Sequence, residues 1–177
     1  MSDAVNVGLL ALRVGLGLVF LAHGIKHARS RIKTTAWFAG IGFRSPGMQW
    51  LASTATELGV GLLLLAGLGT GVAAAGVIGI MTVAFWTVHR KAGFFITAFM
   101  KRGVDVEGWE YVATLWLIAA VLAITGAGEI AVDWQITIDG VHLGELLDGR
   151  VGGALVLGAI AVSAFQVLAF WRPEDVK

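Results

Sequence analysis

The chain has 177 residues, 57% of them apolar and 14% charged, with 25 glycines, no cysteine and a formal net charge of +1. That is too little charge to cover a soluble domain of this length, and a near-zero net charge gives no bulk attraction to nucleic acid. Without cysteine the chain forms no disulfide and does no thiol chemistry of its own.

A bilayer-crossing helix needs about twenty predominantly apolar residues. Five stretches qualify: Val5–Gly24, Met48–Leu68, Val72–His89, Trp109–Gly126 and Val151–Trp171. The first has no basic n-region, is longer than a signal-peptide core and carries an internal arginine, so it reads as a span and not as a leader. Spans two and three are joined only by Gly69-Thr70-Gly71, which makes them a tight antiparallel pair. Small residues four apart, Ala55 with Gly59 and Gly149 with Gly153, suit close helix approach in a bilayer. The expected fold is all-α, a polytopic membrane helix bundle.

Two constellations in these spans carry charge. Arg13 and Glu57 each fall near the middle of their apolar stretches. Alone, either costs roughly 2.5–3.5 kcal/mol at that depth on insertion scales. On sequential antiparallel helices the two are expected to pair, with Gly17 and Gly61 letting the backbones come close. Such a pair is either a pin for helix register or the polar floor of a cavity, where Arg13 binds a carbonyl or anion and Glu57 handles a proton. At the far end of the first span, His23 and His27 share one helix face, while His89 ends the third span and Glu110 opens the fourth. Histidines at matching heights can ligate a haem or a metal. Beside Lys26 and Arg90 they read better as headgroup-facing, and no carboxylate–histidine spacing of the ferritin type is present. They are therefore grouped as a polar cluster, with no metal and no catalytic residue assigned.

Connecting segments add less. Trp37, Phe38, Phe94, Phe95 and Phe99 in the two basic loops are expected to be interfacial anchors. Within "GEIAVDWQITIDGVHLGELLDGR", residues 128–150, Trp134, Ile136 and Ile138 alternate with polar residues before Asp139-Gly140, a favoured hairpin turn. An interfacial helix through His142–Leu147 is the alternative. No phosphate loop, nucleophile elbow or HExxH occurs, and the G-x-G pairs lie inside apolar helices as packing signals.

Orientation follows from Lys and Arg. Lys26, Arg29, Arg31, Lys33, Arg44, Arg90, Lys91, Lys101, Arg102, Arg172 and Lys177 fall on one side of a five-span chain. The other side has Arg150, with Asp3, Glu129, Asp133, Asp139, Glu145 and Asp148. The positive-inside rule then puts the N-terminus outside and the C-terminus in the cytoplasm.

"LRVGLGLVFLAHGIKH", "TELGVGLLLLAGLGTG", the short glycine turn, "GWEY" opening the fourth span and "ITGAGEIAVD" ending it together resemble the DoxX family of small bacterial integral membrane proteins. Arg13, His23-Gly24, Glu57 and the Gly-Ala-Gly before Asp133 match its pattern in order and spacing. The likeness covers about Leu9 to Trp134 and divides the chain into a four-helix core, residues 1–134, and a second part, residues 135–177. That second part is a lid segment, a fifth span and a short tail. The family's usual Ser-Leu-Asp reads Ala131-Val132-Asp133 here, and the fifth span is an addition.

The resemblance implies a place in the bacterial cytoplasmic membrane and a link to redox assemblies, since family members are small subunits of a terminal quinol oxidase or belong to complexes dealing with oxidative and thiol stress. Two functions follow as expectations. One is an accessory, scaffolding subunit of a respiratory or redox complex that carries no electrons itself. The other is a protein that binds a quinone or lipid in a cavity lined by Arg13 and Glu57. The partners implied are the bilayer, other membrane subunits and a second copy of the chain; the only ligand considered is a bound quinone or lipid. A direct Arg13–Glu57 pair would favour the scaffold, and a cavity with separated charges the binding protein.

Overall fold

The structure, a computed structural model, describes residues 1–103 and 105–173; Lys177 of the basic tail lies outside them. It is an all-α membrane helix bundle. Among the described residues four helices are long and apolar enough to cross a bilayer: α1 (Asp3–Arg29), α3 (Pro46–Ala66), α4 (Thr70–Ala84, prolonged by a π turn over Phe85–His89) and α8 (Gly149–Phe170). The predicted fourth span is α5 (Glu110–Thr125), of 16 residues. At 1.5 Å per residue it reaches roughly 24 Å, short of the roughly 30 Å hydrocarbon core. This shortfall matters below.

The segment read as the first basic loop contains a helix, α2 (Arg31–Gly40). Its Phe38, expected as an interfacial anchor, is buried edge-on against Phe43 with ring centroids 5.6 Å apart. Trp37, Phe94, Phe95 and Phe99 are exposed. Beyond α5 the chain forms both elements that were weighed as alternatives. After a short α6 (Val132–Gln135), β1 (Thr137–Ile138) pairs antiparallel with β2 (Val141–His142), and α7 (Leu143–Leu147) follows directly. Asp139 and Gly140 both have positive φ, 50° and 83°, as a type I′ turn requires. Trp134 stacks on His142 at 4.0 Å to fix the loop.

α4 is the central helix and packs on α3, α5 and α8. Ala73, Ala74, Val77 and Ile78 on α4 meet a core that includes Leu64, Ala119 and Leu122, all essentially inaccessible. Lipid tails are as apolar as these side chains, so close packing between small residues, more than water exclusion, holds such helices together. The most extensive seam is α1 on α3. A Cβ at Gly61 would stand 2.8 Å from the Leu21 nitrogen, and one at Gly17 3.0 Å from the Gly61 oxygen. The expected small-residue pairs do not make the contacts: Gly59 and Gly153 face open space, and it is Gly152 that lies on Ala123.

Between α3 and α4 the turn is built by glycine. Gly67 (φ 66°) closes α3, with the Leu68 amide returning to the Leu63 oxygen at 3.0 Å, and Gly69 (φ 58°) precedes α4. The far end of α8 is pinned to the α2–α3 connection. The Trp171 indole donates to the Ile41 oxygen (2.8 Å), and the Arg172 amide to that of Gly42 (2.7 Å).

Candidate functional site

Arg13 sits where the short α5 leaves a gap. Residues 126–131 carry irregular backbone folded back onto the bundle, and α3 ends beside them. Backbone of that kind is tolerated at membrane depth only where protein satisfies its polar groups. Arg13, 1% exposed, does so. Its Nε donates to the Ala127 oxygen (3.1 Å), Nη1 to the Leu64 oxygen (3.0 Å), and Nη2 to the Ile130 oxygen. A planar guanidinium offers five N–H donors in a fixed fork, and no other side chain serves three diverging carbonyls this way.

Asp133 completes this knot from the next turn of chain. It is 1% exposed and accepts from the Gly69 amide (2.7 Å) and the Thr70 amide (2.9 Å), while its own amide donates to the Gly67 oxygen (2.8 Å). Its carboxylate thus caps the first turn of α4, where orphan amides and the helix dipole favour negative charge. It is also the carboxylate whose charge acts on Arg13. Asn6 ties α1 to the same loop by accepting from the Glu129 amide (3.0 Å).

Arg13 and Glu57 therefore do not pair, contrary to the expectation from their places in the two apolar stretches. The seam sets Arg13 against Leu64, whereas Glu57 lies two turns away along α3, roughly 10 Å. The expectation failed because α1 extends to Arg29 and its register on α3 comes from the glycine contacts and not from matching midpoints.

Glu57 meets histidine instead. Its Oε2 stands 2.7 Å from His27 Nδ1, and His23 packs edge-on to His27 with centroids 6.3 Å apart. Glu57 is 4% exposed. Neither its Oε2 nor His27 Nδ1 makes a hydrogen bond, so the two atoms converge without the alignment a proton between them needs. The donor atoms of His23, His27 and Glu57 all lie within 4.8 Å of one another, a set that can hold a metal ion. The other two members of the expected cluster are turned elsewhere. His89 lines the same cavity but has Nδ1 on the Glu107 oxygen (2.7 Å), and Glu110 accepts from the Ile96 amide (3.0 Å).

These histidines and Glu57 open on a cavity of about 1200 Å³ lined chiefly by α3, α4 and α8. Apolar side chains such as Ile80, Leu155 and Val162 line it toward the middle of the bundle. Across its histidine end Gln166 of α8 donates to Gln49 of α3 (2.7 Å), a bridge absent from the sequence reading because nothing local marks either glutamine. Arg13 does not line it.

Comparison with known proteins bears on the same helices. The DoxX family profile matches residues 8–90. A Bacillus subtilis (strain 168) protein named "Putative oxidoreductase CatD" is 31% identical over 135 residues, covering 75% of this chain and 90% of that protein. The chain belongs to the DoxX family. The DoxX match runs from α1 through the π turn and so contains Arg13, His23, His27, Glu57 and His89. As a DoxX protein with four helices long and apolar enough to span, it is a multi-pass membrane protein in contact with the bilayer. No solved structure matches it.

Asp148, at the start of α8 on the Arg13 side of the bundle, has its carboxyl pushed above the usual range, first by burial and then by the negative charge of Glu145.

Proposed function

We propose that this DoxX protein is an accessory membrane component of a redox system and holds an amphiphile, such as an isoprenoid quinone, in the cavity between α3, α4 and α8. The observation that carries this reading is the cavity itself. It is lipid-sized and mostly apolar, and Glu57 and His27, 2.7 Å apart, put a polar group in its wall. A polar head fits there and an apolar tail fits the space toward Ile80 and Val162. Separation of Arg13 from Glu57 removes the packed ion pair on which a purely scaffolding role would rest. The redox setting is supported by the family and by the relative named as an oxidoreductase.

Docking to other membrane subunits is the part we assign to α8. Its Leu157, Phe165 and Leu168 are each more than two-thirds exposed and do not line the cavity, an apolar face for lipid or a neighbouring helix. We place the protein in the bacterial cytoplasmic membrane with the N-terminus outside, on the strength of the basic residues gathered at the histidine end.

Gly158 lines the cavity and has open space where a Cβ would go, so Gly158→Phe is chosen to put a ring into the space beside α8. Protein purified in mild detergent is expected to carry a quinone or lipid that mass spectrometry identifies. Gly158→Phe is expected to lose it while keeping its gel-filtration profile. Equal retention by both proteins would sink the binding reading. For orientation, the chain has no cysteine to remove. A cysteine introduced at Ile138 should react with an impermeant thiol reagent in intact cells and one at Lys33 should not; the reverse pattern would invert the topology.

A further inference from the structure

We propose that His23, His27 and Glu57 form a binding site for a divalent transition-metal ion of the Zn²⁺ or Fe²⁺ class, with its open positions facing the cavity. Two imidazoles one turn apart on α1 and a carboxylate from α3 supply three donors from two helices, and all three donor atoms lie within 4.8 Å of one another. Metal–donor bonds of about 2.0–2.2 Å set tetrahedral donors roughly 3.3–3.5 Å apart. A side-chain rotation of the exposed His23 brings its nitrogen in, and the His27–Glu57 pair, 2.7 Å apart, has to open slightly to take an ion.

The second observation is Glu57. It is nine-tenths buried and more, its Oε2 has no hydrogen-bond partner, and it faces a nitrogen equally without one. A buried carboxylate left that way is costly, and an ion between the two atoms would satisfy both. Donor chemistry narrows the ion. Imidazole suits zinc and iron, whereas magnesium and calcium want oxygen. Two histidines and one carboxylate with free positions describe catalytic zinc sites and the facial triad of non-haem iron(II) alike. The large cavity beside the triad leaves room for a ligand at those positions. This inference stands without the amphiphile reading, because the donors are set by α1 and α3 whatever occupies the cavity.

The test uses full-length protein purified through a tag without histidine, in detergent and stripped of lipid. Elemental analysis of the native preparation distinguishes zinc from iron. Titration of metal-free protein with Co²⁺ should develop visible d–d absorption that Zn²⁺ abolishes and Mg²⁺ does not. His23→Ala, His27→Gln and Glu57→Gln should each weaken Zn²⁺ binding by about tenfold or more, the scale on which even supporting groups act. His89→Ala should leave it unchanged. His23 is exposed, so its variant is expected to fold, and it keeps the test decisive if Glu57→Gln does not. Wild-type protein that shows no Co²⁺ spectrum, or a His23→Ala variant that binds as tightly as wild type, would overturn the site.

Discussion

At one end of the bundle Arg13 gives donors to three carbonyls and Asp133 gives both oxygens to two amides. At the other, Glu57 and His27 stand 2.7 Å apart with no hydrogen bond between them, at the rim of a 1200 Å³ cavity. Both regions put charge into apolar surroundings, yet their hydrogen-bond accounts are opposite. The first is closed: the Arg13 guanidinium and the Asp133 carboxylate each find their partners inside the chain. The second is open, with polar atoms that converge at ion-pair distance and make no hydrogen bond. A closed account belongs to architecture, and an open one invites something from outside. The arginine in the first span thus serves the fold, and the proposed ligand site is at the two histidines and Glu57.

The largest expected effect tests whether the first account is closed as described. Arg13→Leu leaves the Ala127, Leu64 and Ile130 oxygens without donors. Loss of a buried charged partner typically costs about 3–5 kcal/mol, and unfolding of the purified protein in detergent should show a loss of that order. Glu57→Leu should not rescue it. Residues without shared partners are additive within about 0.5 kcal/mol, so the Arg13/Glu57 double-mutant cycle should close near zero. A double variant that recovers the loss would mean that the two charges do interact, and the contrast between the two ends would collapse.

Asp133 comes next. Asp133→Ala removes the acceptor for the Gly69 and Thr70 amides at the start of α4. Loss of such a cap costs about 0.5–2 kcal/mol. Because Asp133 also acts on Arg13, this pair, unlike Arg13 with Glu57, should show non-additive losses in a cycle of thermal melts. Additivity here would split the knot into two unrelated contacts.

The sequence carried much of this fold because span length and apolar content are local properties. The bounds of α3, α5 and α8 were readable to within two residues for that reason, whereas α1 runs on past Gly24 to Arg29, and Asp139-Gly140 marked its turn through the φ values it must adopt. The sites were less legible. Arg13 and Glu57 each stood out, since charge in an apolar run is visible locally, but their partners depend on helix register. Register came from where Gly17 and Gly61 allow contact, together with the length of α1 beyond its apolar stretch. His23 and His27 lie one turn apart with their rings in contact, while Glu57, expected near mid-membrane opposite Arg13, stands beside His27 instead. No pattern in the chain foretold the irregular segment 126–131, because the shortness of α5 matters only once its neighbours are in place. Gln49 and Gln166 were invisible for the same reason.

The smallest effect concerns Asp148, a partly buried carboxyl at the Arg13 end. Asp148 precedes α8 but makes no capping hydrogen bond, and its Oδ2 lies near Gly126, where a Cβ would come within 2.9 Å. Burial and the nearby Glu145 raise its pKa in the folded protein. A carboxyl with a raised folded-state pKa is destabilising while ionised. That penalty is present above the folded pKa and fades as pH falls through it, the reverse of a salt-bridged aspartate. Asp148→Asn should therefore stabilise the protein slightly at neutral pH, by at most about 0.5 kcal/mol since solvent screens a group this accessible. The difference from wild type should vanish in acid, where Asp148 is already neutral. Glu145→Gln should move stability in the same direction by less, because its charge is the second cause and not the first. Melts of the three proteins across that range decide it. A variant at Asp148 that is less stable at every pH would mean that this carboxylate caps α8 after all.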